Sequence, residues 1–185
     1  MEQGIIRSNR WNEAAKYGII FGLISAAYLY FGHLQNAIGA TGIFGSVLGF
    51  IVWAVKFTVC IRLMKKVMLR FALENPEASN NDTFKLGFLI AIFSALLFSV
   101  ITVADQLYIF TDYYQSMYAA TISEYAKILP SDQVDQIREM MADAPKISFI
   151  GTFIYCALFG TVLSFILSRN IPSRDPFSNN TPEEQ

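Results

Sequence analysis

The stretch YGIIFGLISAAYLYFGHLQNAIGATGIFGSVLGFIVWAV, Tyr17 to Val55, separates Lys16 from Lys56 by 39 residues without an Asp, Glu, Lys or Arg. A helix rises 1.5 Å per residue, so ~20 apolar residues cross the ~30 Å hydrocarbon layer of a bilayer. Amides in hydrocarbon have no water to bond and must pair within their own segment, which selects helix. The run is long enough for two crossings, and Gln35, Asn36, Gly39 and Gly42 mark a turn between them. A first span is therefore expected from Ala14 to His33 and a second from Ile43 to Leu63. Two further charge-free runs, Leu86 to Ala104 and Ile147 to Ser168, place a third span at Phe84 to Ala104 and a fourth at Ile147 to Ser168.

The composition agrees with this class. Of 185 residues, 54% are hydrophobic and only 16% charged, against ~25% in soluble domains, and the mean hydropathy is +0.38. Such a chain is neither disordered nor, with two cysteines, a disulfide scaffold; a net charge of −1 excludes a basic nucleic-acid binder. The expected fold is an all-α integral membrane protein with four transmembrane helices in two hairpins and an amphipathic helical cap between the third and fourth. Residues 1–13 form a cytoplasmic segment, 14–168 the membrane domain, and 169–185 a disordered cytoplasmic tail.

Basic residues near helix ends mark the cytoplasmic side. Arg7, Arg10 and Lys16 precede the first span, and Arg62, Lys65, Lys66, Arg70 and Lys85 surround the second connection. Asp105 to Lys146 has three basic residues against seven acidic ones, while Arg169 and Arg174 follow the fourth span. Both termini are thus expected in the cytoplasm. A cleaved signal peptide ending near Ala26 and Ala27 is the competing reading of the first span. Tyr28 to Phe31 continue the apolar run straight through that site, which disfavours it. Tyr28, Tyr30, Tyr108, Tyr113, Tyr114 and Tyr118 fall at the expected outer interface, and Trp11, Tyr17 and Phe84 at the inner one.

The third connection is patterned. Met117, Tyr118, Thr121, Ile122, Tyr125, Ile128 and Leu129 recur at helical spacing. Pro130 announces a second short helix, with Ser131 or Asp132 placed to cap it and Pro145 to stop it. Val134, Ile137 and Met141 share one of its faces, and Asp132, Asp135, Glu139 and Asp143 another. The cap is expected over 113–143.

Close packing in lipid depends on small residues. Each span has a thin seam: Gly18, Gly22 and Ser25; Gly45 and Gly49; Gly87, Ala91 and Ser94; Gly160 and Ser164. They serve either a single four-helix bundle or a homo-oligomer. Lys16-Tyr-Gly18-Ile-Ile-Phe-Gly22-Leu-Ile-Ser25-Ala26 also echoes Lys85-Leu-Gly87-Phe-Leu-Ile-Ala91-Ile-Phe-Ser94-Ala95, as two related hairpins or shared packing needs would both produce.

Lys56 is the one ionisable residue well inside a span and the candidate intramembrane polar site. It lies seven residues before Leu63, about 10 Å from the cytoplasmic end, so snorkelling is the favoured reading and a functional charge the alternative. Metal and cofactor chemistry finds little support. Cys60 and Cys156 are expected in opposite halves of the bilayer as packing residues, and His33 stands at the outer end of the first span without a matched partner. No nucleophile with a neighbouring base and no nucleotide-binding fingerprint is present.

The opening Ala15 to Gly22, the basic second connection leading into Thr83-Phe84-Lys85-Leu86-Gly87-Phe88, the tyrosine-rich exit with its acidic helical segment, and the last Gly/Ser helix ending in basic residues have a counterpart. Over roughly Asn12 to Arg169 the chain resembles the bacterial membrane proteins grouped as "domain of unknown function 4199". The resemblance implies a bacterial cytoplasmic (inner) membrane, and no activity, ligand or catalytic residue.

The leading functional expectation is a non-catalytic membrane protein acting through protein–protein or self-association, its partners the lipid bilayer and a second copy or another membrane protein, with no nucleic acid and no cofactor. The alternative is a small oligomeric transporter or channel subunit. A third reading, a lipid-directed membrane enzyme using Asp and Tyr at the outer interface, needs clustered carboxylates in a cleft. A filled interior favours association, and a cavity lined by Lys56 favours transport.

Overall fold

A computed structural model describes residues 2–39 and 42–171, with side chains from Asn9 onward. Six α-helices are described: α1 (Glu2–Ala37), α2 (Gly42–Glu74), α3 (Asn80–Ala104), α4 (Thr111–Tyr125), α5 (Ser131–Ala142) and α6 (Ala144–Arg169). A five-residue π turn, Asp105–Ile109, joins α3 to α4. The described residues include no strand. Four helices, within α1, α2, α3 with its π turn, and α6, are long and apolar enough to cross a membrane, which defines a multi-pass membrane protein. The tail expected to be disordered lies, beyond Ile171, outside the described residues.

Two of the helices outrun the expected spans at the same end. α1 begins at Glu2 rather than Ala14, and α2 continues past Leu63 to Glu74. Arg62, Lys65, Lys66 and Arg70 are good helix formers, so charge ends the apolar run without ending the helix. Helix α2 stops only at Asn75-Pro76. Ser79 then caps α3 in a capping box with Asp82, and the same Asp82 carboxylate accepts a 2.9 Å ion-paired hydrogen bond from Arg10 of α1.

Contacts give the helix directions. Arg10 meets Asp82, Gly18 meets Phe93 and Gly22 meets Leu97, a near-constant offset that makes α1 and α3 parallel. Gly87 meets Ser164 and Gln106 meets Ser148, so α6 runs antiparallel to α3. Gln35 bonds the Gly45 carbonyl across the α1–α2 connection, where Gly39 and Gly42 take φ of +68° and +70°. Only glycine enters that left-handed region without strain.

Helix α3 is the centre, packed tightly between α1 and α6. A Cβ on Gly18 would collide with that of Phe93, one on Gly22 would stand 2.8 Å from Leu97 Cδ2, and one on Gly87 2.6 Å from Ser164 Oγ. Gly160 lies against Ala91 in the same manner. The two echoed segments thus do parallel jobs, Gly18 and Gly22 admitting α3, Gly87 and Ala91 admitting α6. Gly49 of α2 differs: a Cβ there would meet Gln35 at an ordinary 3.6 Å.

Helix α2 is held at one end. Its buried residues are Met64, Val67, Met68 and Phe71, which join Ala14, Leu86, Ile90 and Leu167 in the main core. Its opposite half has no buried residue, with Ile43 86% and Phe44 72% exposed. The bundle is closed where α1 starts and α6 ends, and splayed at the other end.

The connection between α3 and α6 differs from expectation in its punctuation. Pro130 itself is the N-cap of α5, with no side-chain cap from Ser131 or Asp132, and Pro145 sits in the first turn of α6 instead of stopping α5. Proline suits a first turn, whose N–H groups have no intrahelical partner. Val134 is the buried residue of α5 and α4 has none, while Asp135 and Asp143 pair locally with Arg138 and Lys146 in exposed i,i+3 bridges.

The seam predicts a graded response to added methyl groups. Gly87→Ala is expected to cost about 1–3 kcal/mol through overpacking against Ser164, and Gly49→Ala to stay within about 0.5 kcal/mol. Thermal unfolding of the detergent-solubilised protein checks both.

Candidate functional site

The splay of α2 leaves a cavity of about 500 Å³ between it and the α1–α3–α6 layer. Its floor is apolar, formed by Phe21, Met64, Ile90 and Leu163. Four hydroxyl-bearing side chains line it higher up: Ser25 and Tyr28 from α1, Ser94 from α3 and Thr152 from α6. Two members of the small-residue seams, Ser25 and Ser94, therefore face this space.

Lys56 enters the cavity from α2. Its Nζ lies 4.9 Å from the centroid of the Tyr28 ring and 5.6 Å from that of Phe98, within cation–π range. Both rings belong to the cavity wall, so the ammonium is directed into the bundle interior. The reason is local: Tyr28 and Phe98 offer π faces inside the bundle, which partly replace lost hydration. Among the described residues no carboxylate pairs with Lys56.

Cys60 and Cys156 do not stand apart. Both are free thiols and both line this one cavity, from α2 and α6.

A second cluster joins α1 and α3 at the end away from Arg10 and Asp82. Asp105 is 0% exposed. Its Oδ2 lies 2.8 Å from His33 Nε2 of α1 and accepts a 2.8 Å hydrogen bond from the Tyr114 hydroxyl of α4. Its Oδ1 has no hydrogen-bond partner among the described residues. The His33 ring stacks on Phe110 at 4.0 Å, with Tyr113 and Tyr114 edge-on.

The π turn makes this convergence. In an uninterrupted α-helix Phe110 would lie about 140° round from Asp105. Instead the Phe110 N–H donates to the Asp105 carbonyl, an i→i+5 bond of 2.8 Å, and the wider turn swings Phe110 and Tyr114 back over the carboxylate.

His33 is thus not the unmatched histidine that its sequence neighbourhood suggests. The missed partner was visible in one respect only: the expected spans put His33 and Asp105 at the outer ends of two helices running the same way. The described residues hold no group of three or more His, Cys, Asp or Glu suited to a metal ion.

A multi-pass helical membrane protein with an intramembrane cavity and a buried carboxylate at one end is the class defined by this geometry. The chain belongs to the family described as "Protein of unknown function (DUF4199)", whose profile matches residues 16–169. No curated protein and no solved structure matches it.

Burial, and then donation to Asp105, push the Tyr114 phenol well above the ordinary tyrosine range. An acid whose folded value is raised stabilises the fold fully below its unfolded value, about pH 10, and loses that contribution as pH rises through the folded value. Ultraviolet titration of the folded protein should therefore leave Tyr114 protonated at about pH 10.5, and Asp105→Asn should let it ionise earlier. In the same cluster, His33→Ala should destabilise by about 3–5 kcal/mol by leaving Asp105 buried without its main partner. The double variant with Asp105→Ala should cost less than the sum of the two single variants, as read by thermal unfolding in detergent.

Proposed function

We propose that this protein is a non-catalytic membrane protein that binds a small molecule within its membrane domain. One observation carries the reading: the Lys56 ammonium lies in a cavity of about 500 Å³ with no paired carboxylate among the described residues. An ionisable group at membrane depth is costly. A bound partner would offset that cost, and 500 Å³ lies within the ~300–1,000 Å³ of small-molecule sites. A bundle filled throughout would have favoured association instead.

We infer further that the protein lies in a bacterial inner membrane with both termini cytoplasmic, α1–α2 and α3–α6 forming two hairpins and α4 and α5 an outer cap. Basic residues support this placement: Arg10, Lys16, Arg70, Lys85 and Arg169 gather at the closed end of the bundle. The cavity would then lie near the middle of the membrane.

Self-association is a second reading, resting on the exposed half of α2, where Phe44, Val47 and Phe50 are exposed large apolar side chains. Transport through so small a bundle would require that second copy.

Native mass spectrometry of delipidated protein tests the cavity reading. Wild type should retain a small-molecule adduct, and Ser94→Phe, which fills the cavity, should lose it while keeping its helicity. A wild type that emerges bare once its annular lipid is stripped would count against binding.

A further inference from the structure

Taking the cavity as a binding site, we propose that its ligand is a single-chain, singly charged anionic amphiphile, a long-chain carboxylate drawn from the bilayer, with its headgroup on Lys56. Three features select this class.

Charge is the first. One ammonium faces the space, no carboxylate among the described residues neutralises it, and no arginine lines the wall. A lone point charge matches a monoanion, whereas a phosphate dianion calls for a second cation or a guanidinium fork. Hydroxyl groups of Ser25, Ser94 and Thr152 also line the cavity and can donate to the remaining lone pairs of a carboxylate.

The body of the cavity is the second feature. Away from Lys56 its walls are mainly aliphatic and aromatic, which suits a hydrocarbon chain and not a hydrated solute.

The route of entry is the third. The cavity's exposed lining lies on α2 and α6: Trp53 at 42%, Phe159 at 43% and Tyr155 at 68% exposure. Phe57 and Phe159 approach each other at 5.5 Å across the slot between these helices, and Trp53 stacks on Phe57. Both helices are apolar enough to cross a membrane, so the slot opens onto lipid rather than water. Lys56 lies fourteen residues along α2 from Gly42 and seven before Leu63, about 21 Å and about 10 Å of helix. A two-chain lipid anchored at the surface would have to carry its headgroup to that depth together with both chains.

The test uses the full chain in phosphatidylcholine vesicles at pH 8. The chain has two tryptophans, so Trp11→Phe leaves Trp53, in the cavity wall, as the sole reporter. The probes are 9,10-dibromostearate and its uncharged methyl ester, whose bromines quench tryptophan on contact. Dibromostearate should quench Trp53 saturably at a concentration at least tenfold below that of the ester. Lys56→Met should bring the two curves together while still binding the ester, and Lys56→Arg should keep them apart. Equal binding of acid and ester by the parent protein would overturn the charge assignment and leave the cavity reading standing. Absence of saturable quenching by either probe would overturn both. Displacement of the acid by an equal concentration of dioleoyl phosphatidylglycerol would overturn the single-chain assignment.

Discussion

Contact distance between helices governs this molecule. In hydrocarbon, apolar side chains gain nothing by leaving lipid for protein, so association depends on how closely backbones can approach. Helix α3 approaches α1 over Gly18 and Gly22 and α6 over its own Gly87 and Ala91, facing Ser164 and Gly160. Those two interfaces form a three-helix layer. Helix α2, where Gly49 meets only the Gln35 side chain, is buried only where Met64 to Phe71 enter the core. The cavity follows from this inequality: two tight interfaces and one half-made.

The charged groups fall into two energetic situations. Asp105 is fully buried, and His33, Tyr114 and the stacked Phe110 enclose it, fastening α1, α3 and α4 at one point. Lys56 has aromatic faces and no carboxylate. Within the chain the Asp105 Oδ2 meets both His33 and Tyr114, although its Oδ1 meets no partner among the described residues; a cation resting only on π faces retains capacity for a ligand. Their positions also separate the tasks. The Asp105 cluster closes the end of the α1–α3 pair, while Lys56 faces the space left by α2.

Parts of this arrangement were legible in the residues and parts were not. The apolar runs placed all four long helices, because span length is set by bilayer thickness and needs no knowledge of neighbours. Helix ends were less legible: α2 continues eleven residues past Leu63 because Arg and Lys stop an apolar run but not a helix. Pro145 read as a stop and proved to be the start of α6, since proline is compatible with both boundaries. His33 and Asp105 lie 72 positions apart, and the π turn that aims Phe110 and Tyr114 at them has no signal in the spacing of apolar residues. Cys60 and Cys156 line one cavity from separate helices, which counting along each helix alone does not reveal.

Composition and the spacing of charge determined by themselves that the chain crosses a membrane several times, where its long helices lie and which positions are thin enough for close packing. These are properties of a segment against its solvent, and a segment carries them alone. Which seams meet, that α2 stands off, and that Lys56 turns inward over Tyr28 and Phe98 were decided only by the tertiary structure. Each depends on the relative rotation of two helices, and that rotation is set by the shapes of both surfaces together.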